Sequence, residues 1–400
     1  MSLNVKSAAW LGLALFLWSA AYNINANFLP LTARDLGATS HGVGLIQGIA
    51  LAGAALALLP ILWLGDRFSR RSILLTAWGA GAAGTLEVAL ARSFSALIPG
   101  AFLMLAGGAA VPALAALATE VAPANSRRRA INGIFGALPV GLLAGSAVGG
   151  IIAQHLGNQA LYLTSASLSL GAMLALLPVP ASRGAAGTAA GREDPPAGTR
   201  PWVKLLLLGI PAGIAYMVLS LPSSFLTTYL REQAGLSLTG TGFVTAVLAV
   251  GQVGWSALFA VWPGETGQAE VGLGPARFRF GQGTLLALTV CLAANALFGL
   301  LFPAGGTVGA VIALLLRGAL FSLQPLGLAL VSELTGTGAG LTGRYSLLAL
   351  VMAAALAAAP VAAGFIYAAH PTWPFAIAGA AALAGTLVLI ALRAVSRPVS

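Results

Sequence analysis

A chain of 400 residues with 58% apolar and only 8% charged side chains cannot cover itself for life in water, where globular proteins carry about 25% charged residues. Ten acids, twenty bases and a mean hydropathy of +0.92 make lipid the solvent for most of its surface. The net charge of +10 does not mark a nucleic-acid partner, because the bases sit in short loops between apolar runs, where membrane topology is read.

Those runs are about twenty residues long rather than ten-residue dyads, which selects helices over a barrel. In hydrocarbon every backbone polar group must be bonded internally, and a helix does this within one segment. In chain order the runs predict spans at 8–30, 43–64, 72–91, 95–118, 130–153 and 159–178, then at 203–229, 239–262, 282–302, 307–332, 343–368 and 374–393. The first run lacks a small-residue cleavage site and is expected to stay as a helix rather than leave as a signal peptide. Only Arg92 and Ser93 separate the third span from the fourth, and Trp262-Pro263-Gly264 blurs the end of the eighth. Residues 179–202, rich in proline and charge, have the composition of a linker. The expected fold is an all-α membrane protein of twelve transmembrane helices: a six-helix half over 1–178, a cytoplasmic linker over 179–202 and a second six-helix half over 203–400.

Charge sets the expected orientation. Sixteen bases fall on one side, only Arg34, Arg92 and Arg231 on the other, and Arg317 inside a span. Positive-inside bias then places both termini in the cytoplasm. The halves also repeat. Phe28-Leu29-Pro30-Leu31-Thr32-Ala33-Arg34-Asp35 corresponds to Phe225-Leu226-Thr227-Thr228-Tyr229-Leu230-Arg231-Glu232, and Ser40 matches Ser237 at the same offset. Glu120 at the end of the fourth span is echoed by Glu333 at the end of the tenth, and each is followed by bases. One six-helix unit used twice in the same orientation is the pattern of parallel repeats around a central path.

The loop between the second and third spans reads Leu62-Trp63-Leu64-Gly65-Asp66-Arg67-Phe68-Ser69-Arg70-Arg71. With twelve spans, a basic linker and a half-repeat, it resembles the major facilitator superfamily over essentially the whole chain. The family pattern is Gly-x-x-x-Asp-Arg-x-Gly-Arg-Arg; Asp66, Arg67, Arg70 and Arg71 match it, while Leu62 and Ser69 stand at its glycine positions. The resemblance implies that these four residues latch the two halves on the cytoplasmic side. Independently of the family, a carboxylate in a one-turn loop can hold arginines and face the positive end of a helix. Two other family patterns are altered. Leu103 stands where many proton-coupled members carry arginine, and Ser146 stands where the fifth-span exporter pattern has proline, with Gly141, Gly145, Gly149 and Gly150 kept.

Arg317 lies about 15 Å into its span at the helical rise, too deep to reach the headgroups simply by extending. An intramembrane arginine faces a cavity or a partner, so Arg317 reads either as a substrate or coupling charge or as a structural arginine satisfied by Asn295 or Gln324. Polar side chains gather in the first span (Tyr22, Asn23, Asn25, Asn27) and in the seventh (Tyr216, Ser220, Ser223, Ser224, Thr227, Thr228), where Pro211 and Pro222 can kink the helix. In the resembling family these helices line the central cavity. Tyr22, Asn23, Asn27, Tyr216, Ser220, Ser224, Arg317 and Gln324 are therefore the candidate substrate contacts, each equally open to a packing role. Glu120 with Arg128 and Glu333 with Arg344 read as an inner girdle of weak ion pairs, suited to contacts that break in every cycle. Glu87 is the membrane candidate for carrying protons, against a surface-facing carboxylate paired with Arg92.

No phosphate-binding Gly-rich loop ending in Gly-Lys-Ser/Thr is present, so ATPase machinery is not expected. Scattered histidines and the single Cys291 give no metal cluster, no cofactor site and no membrane-enzyme centre. The leading expectation is a bacterial inner-membrane secondary transporter that exports small organic or amphipathic molecules by alternating access, by proton antiport. Uptake, exchange or facilitated diffusion of an anionic metabolite through Arg317 is one alternative, and lipid or lysolipid translocation another. The expected partners are a small-molecule substrate, membrane lipids and protons, with no nucleic acid; the resemblance implies a monomer.

Overall fold

The computed structural model describes residues 3–64, 68–121, 127–181, 201–261, 268–273, 276–323, 341–395 and 397–398. Eleven helical segments in it are long and apolar enough to cross a membrane. The longest of them lies in α6 (Arg127–Leu176), where Gly157 adopts a non-helical φ of 82° and joins two helices. Dividing the segment there recovers the twelve expected spans, and the glycine falls between the predicted spans 130–153 and 159–178.

The first helices are α1 (Leu3–Asp35), α2 (Ser40–Leu64) and α3 (Arg70–Leu90). The fourth span is not one helix. α4 (Phe94–Met104) passes through a 3-10 turn at Ala106–Ala110 into α5 (Val111–Val121). The reason is a tertiary contact: at Gly107 a Cβ would stand 2.7 Å from the Trp18 indole nitrogen and 3.2 Å from Trp78 Cδ1, so the backbone bends around a stacked tryptophan pair. The seventh span breaks at Pro222, one of the two prolines expected to kink it, while Pro211 stays inside a continuous helix: α7 (Pro201–Ser220) is followed by a 3-10 turn at Leu221–Ser224 and α8 (Leu226–Glu232). α9 (Leu238–Val261), α10 (Gln282–Ala304), α11 (Gly306–Arg317), α12 (Leu341–Ala369) and α13 (Trp373–Val395) follow.

One element departs from the all-helical expectation. β1 (Gln268–Leu273) pairs antiparallel with β2 (Ala276–Gly281) and with β3 (Arg397–Pro398). The Arg277-Phe278-Arg279-Phe280 alternation has the period of two that a strand requires, but it is too short to register in a search for twenty-residue spans.

The chain packs as two compact units. One comprises Met1–Ala190, Ser223–Ala249 and Leu356–Pro371; the other comprises Gly191–Pro222, Val250–Ala355 and Thr372–Ser400. The core of the first is a cluster around Leu11, Leu15, Trp18, Leu74, Trp78 and Leu117 on α1, α3 and α5. In the second, Leu219, Ala296, Leu320 and Ala382 form one cluster, and Cys291, Ala294 and Ala319 another. Large apolar side chains such as Leu156, Leu174, Leu300 and Val308 stay largely exposed, as expected where the surrounding medium is hydrocarbon.

Candidate functional site

The first unit holds helix ends from both halves of the sequence, and they meet at a charged clasp. α1 and α8 are each followed by a glycine in the left-handed region, Gly37 (φ 85°) and Gly235 (φ 66°), which lets the chain leave a helix without a Cβ clash. Each helix carries the repeated base–acid dyad in its last turn. Arg34 donates to the Ala38 carbonyl at 3.0 Å and to Ser40 Oγ at 2.9 Å, and Arg231 donates similarly to the Leu236 carbonyl at 2.9 Å. From that position Arg34 reaches across, its Nε 2.9 Å from Glu232 Oε1. Tyr367 Oη donates to Glu232 Oε2 at 3.3 Å, and its ring stacks on Phe225 with centroids 4.4 Å apart. The symmetry-related pair does not form; Asp35 instead accepts from Asn158 Nδ2 at 2.7 Å. The repeat thus yields one ion pair between sequence halves, not two.

Glycines bring the backbones together beside this clasp. A Cβ on Gly44 of α2 would lie 3.0 Å from Gly364 Cα of α12, and one on Gly242 of α9 would lie 2.9 Å from Gly150 Cα of α6. Such approach is the usual means by which helices associate in lipid, where no hydrophobic force drives them together.

Along α1 two of the candidates for substrate contact, Asn23 and Asn27, face α6. Asn23 Nδ2 donates to the Leu142 carbonyl at 2.5 Å and to Ser146 Oγ at 2.6 Å, and Asn27 Nδ2 donates to the same hydroxyl at 2.8 Å. Ser146, fully buried, therefore anchors α1 where the resembling pattern has a proline. Asn25 is separate: it donates to Thr85 Oγ1 and accepts from Ser165 Oγ, each at 2.8 Å, tying α1 to α3 and to the second half of α6. Tyr22 packs against Trp18, centroids 5.3 Å apart. Both asparagines of the α6 contact, like Tyr22, stay partly exposed.

In the second unit Arg317 closes α11 and is 3% exposed. Its guanidinium donates to Asn295 Oδ1 at 3.0 Å and to the Leu219 carbonyl at 2.6 Å, and lies 4.8 Å from the centre of the Phe298 ring. The Leu219 carbonyl accepts this bond because the helix gives way one residue later to the turn around Pro222. Of the two roles open to Arg317, this geometry supports the structural one, with Asn295 as the expected partner. Tyr216 packs beside Leu219 on the same cluster. Ser220 and Ser224 are both buried.

Among the gating candidates, Arg70 Nε and Glu120 Oε1 stand 2.9 Å apart, joining the start of α3 to the end of α5. Arg71 donates to the carbonyls of Leu177 and Val179 at 3.1 and 2.9 Å, the use of a base at a helix C-terminus. Asp66, Arg67, Glu333 and Gln324 lie outside the described residues, as do the side chains of Arg128 and Arg344. Glu87 is exposed on α3. The expected pairing with Arg92 does not form among the described residues, because Arg92 lies beyond the helix, past the extended backbone at Ala91 (ψ 130°). The clasp residues Arg34, Glu232 and Tyr367 were not among the gating candidates, although the repeated dyad pointed to the first two; Tyr367 has no counterpart in that signal.

Comparison with known proteins agrees with this architecture. The family profile described as Major Facilitator Superfamily matches residues 11–343. Multidrug resistance protein MdtG of Escherichia fergusonii is 33% identical over 168 residues, 40% of this chain and 40% of the relative; the chain thus matches well under half the length of that relative. The nucleoside transporter NupG superposes with a TM-score of 0.74 at 12% identity, over 98% of this chain and 100% of that one. The human organic anion transporter MFSD10 superposes with a TM-score of 0.64 at 17% identity, over 97% and 100%. At these identities the structural likeness speaks for the fold alone.

Proposed function

The chain belongs to the Major Facilitator Superfamily, and from that premise we propose that it is a secondary transporter exporting small organic or amphipathic molecules by alternating access. The observation that carries this reading is the clasp. A half-buried ion pair contributes only about 1 kcal/mol, yet this one joins helices from the two sequence halves and is bordered by glycine-to-glycine backbone contacts. It is a contact built to close and to release. In this reading the halves 1–178 and 203–400 rock about a central path, the clasp shuts the outer end, and Arg70–Glu120 with the Asp66 loop belong to the inner gate. Both termini are then cytoplasmic and the membrane is the bacterial inner membrane.

Export is supported by the likeness to a multidrug resistance protein over part of the chain and by the aromatic surroundings of Tyr22 at Trp18 and Trp78. The anionic-metabolite alternative loses its anchor, since the guanidinium that would bind the anion is buried against Asn295 and Leu219. For proton coupling the better-placed carboxylate is Glu232 rather than Glu87, because protonating Glu232 would weaken the clasp directly, whereas Glu87 touches no gate.

Reconstitution into proteoliposomes tests the reading. Cationic and neutral amphipathic dyes should move faster when a pH gradient is imposed and slow when it is collapsed. Counterflow of organic anions, with dye movement unaffected by the protein, would replace export with anion exchange.

A further inference from the structure

On the clasp side of the first unit lies a cavity of about 190 Å³ that the transport cycle above does not use. Its polar lining comes from Thr32 and Asp35 of α1, Arg92 after α3, and Asn158, Gln159 and Tyr162 of α6. Thr32 and Tyr162 are buried and share a hydrogen bond of 3.0 Å at its floor. Both signs of charge line it. α1 ends at Asp35 and α3 at Leu90, so two helix C-termini, each with partial negative charge, converge with the Asp35 carboxylate. The same lining holds Arg92 and the start of the helix that follows Gly157, whose N-terminal end carries partial positive charge. Asp35 is steadied by Asn158, while Arg92 makes no hydrogen bond or ion pair among the described residues. The carboxylate and the guanidinium line one cavity without pairing with each other.

We propose that this cavity binds the head group of a zwitterionic aminophospholipid from the adjacent leaflet, the ammonium at Asp35 and the phosphate at Arg92. The lipid source follows from the rim. Leu90 lines the cavity yet is 67% exposed, and Leu86, one turn earlier on α3, is exposed as well. The two form an apolar strip leading away from the cavity along a membrane-spanning helix, where an acyl chain lies. A primary ammonium satisfies both the carboxylate and the helix ends with its three donors. A head group lacking that amine leaves Asp35 facing only an anion, and a trimethylated one offers no donor.

Native mass spectrometry of the full chain, released from detergent after titration with dioleoyl phosphatidylethanolamine, phosphatidylcholine or phosphatidylglycerol, tests this. Phosphatidylethanolamine should be retained in preference to the other two. Retention should fall about tenfold in Asp35→Asn and in Arg92→Gln, the size of a lost charge-assisted bond. Arg92 has no hydrogen-bond or ion-pair partner among the described residues, so its variant separates ligand loss from misfolding, with lipid-free thermal stability as the control. The proposal is overturned if the parent retains phosphatidylglycerol equally well, or if both folded variants hold phosphatidylethanolamine as the parent does. It is overturned equally if free phosphoethanolamine binds and the lipid does not, which would make the cavity a site for a soluble zwitterion.

Discussion

At the scale of single residues, the most consequential group is a cation inside a membrane span, and what surrounds it fixes what its removal should do. Arg317 is satisfied by Asn295 and by a backbone carbonyl. Deleting a partner from a buried charge is expected to be worse than deleting the charge itself. Asn295→Ala should therefore lower the thermal stability of the purified protein by about 1–3 kcal/mol, while Arg317→Met, apolar and of similar reach, should be tolerated. The double variant should recover part of the Asn295→Ala loss. If Arg317→Met instead abolished ligand binding at unchanged stability, the arginine would be a substrate contact. Ser146 offers a second test. Ser146→Ala removes the acceptor shared by Asn23 and Asn27, and thermal unfolding should show a loss of about 1 kcal/mol. Depth and rarity made Arg317 conspicuous in the sequence. Its bond to the Leu219 carbonyl depends on two helices meeting, which spacing along one helix cannot encode, and the same is true of Asn23, Asn25 and Asn27, whose different partners no periodicity separates.

At the scale of elements, the breaks carry more information than the helices. The fourth span bends at a glycine pressed against Trp18 and Trp78, which stack at 5.6 Å. Gly107→Val should force the rings apart, cost about 1–3 kcal/mol by overpacking, and shift the tryptophan emission; differential scanning fluorimetry reads the first and a fluorescence spectrum the second. The break at Pro222 was legible because proline lacks the donor a helix needs and clashes with the preceding turn. The bend at Gly107 was not, since hydropathy is indifferent to a glycine among alanines and the cause lies on α1 and α3. The spans themselves were legible nearly throughout because lipid imposes length and apolarity together, including the division at Gly157. The small sheet escaped because strands of six residues or fewer leave no such mark.

At the scale of the whole molecule, the proposed function rests on contacts that form and break, and the clasp is the one whose release the proposal lets an experiment watch. Cys291, the single cysteine, is buried, so an introduced thiol can be followed against a silent background. Thr228 on α8 is 0% exposed, and its hydroxyl has no partner among the described residues, so Thr228→Cys should disturb little and report only when this end of the first unit opens. Maleimide labelling should be slow in that background. It should accelerate when Arg34→Ala removes the cation, because the remaining Tyr367–Glu232 bond at 3.3 Å and the glycine contacts do not replace the ion pair. Losing about 1 kcal/mol shifts an open–closed equilibrium roughly fivefold, and the labelling rate should rise by about that factor. Glu232→Gln should fall between parent and Arg34→Ala, since the amide keeps a hydrogen bond to arginine while giving up the charge. Exchanging the pair, Arg34→Glu with Glu232→Arg, should return the rate toward the parent's. That recovery separates a gate from a fold defect: a structural lesion at either position would add to the other, whereas an ion pair between the halves is indifferent to which half supplies the cation.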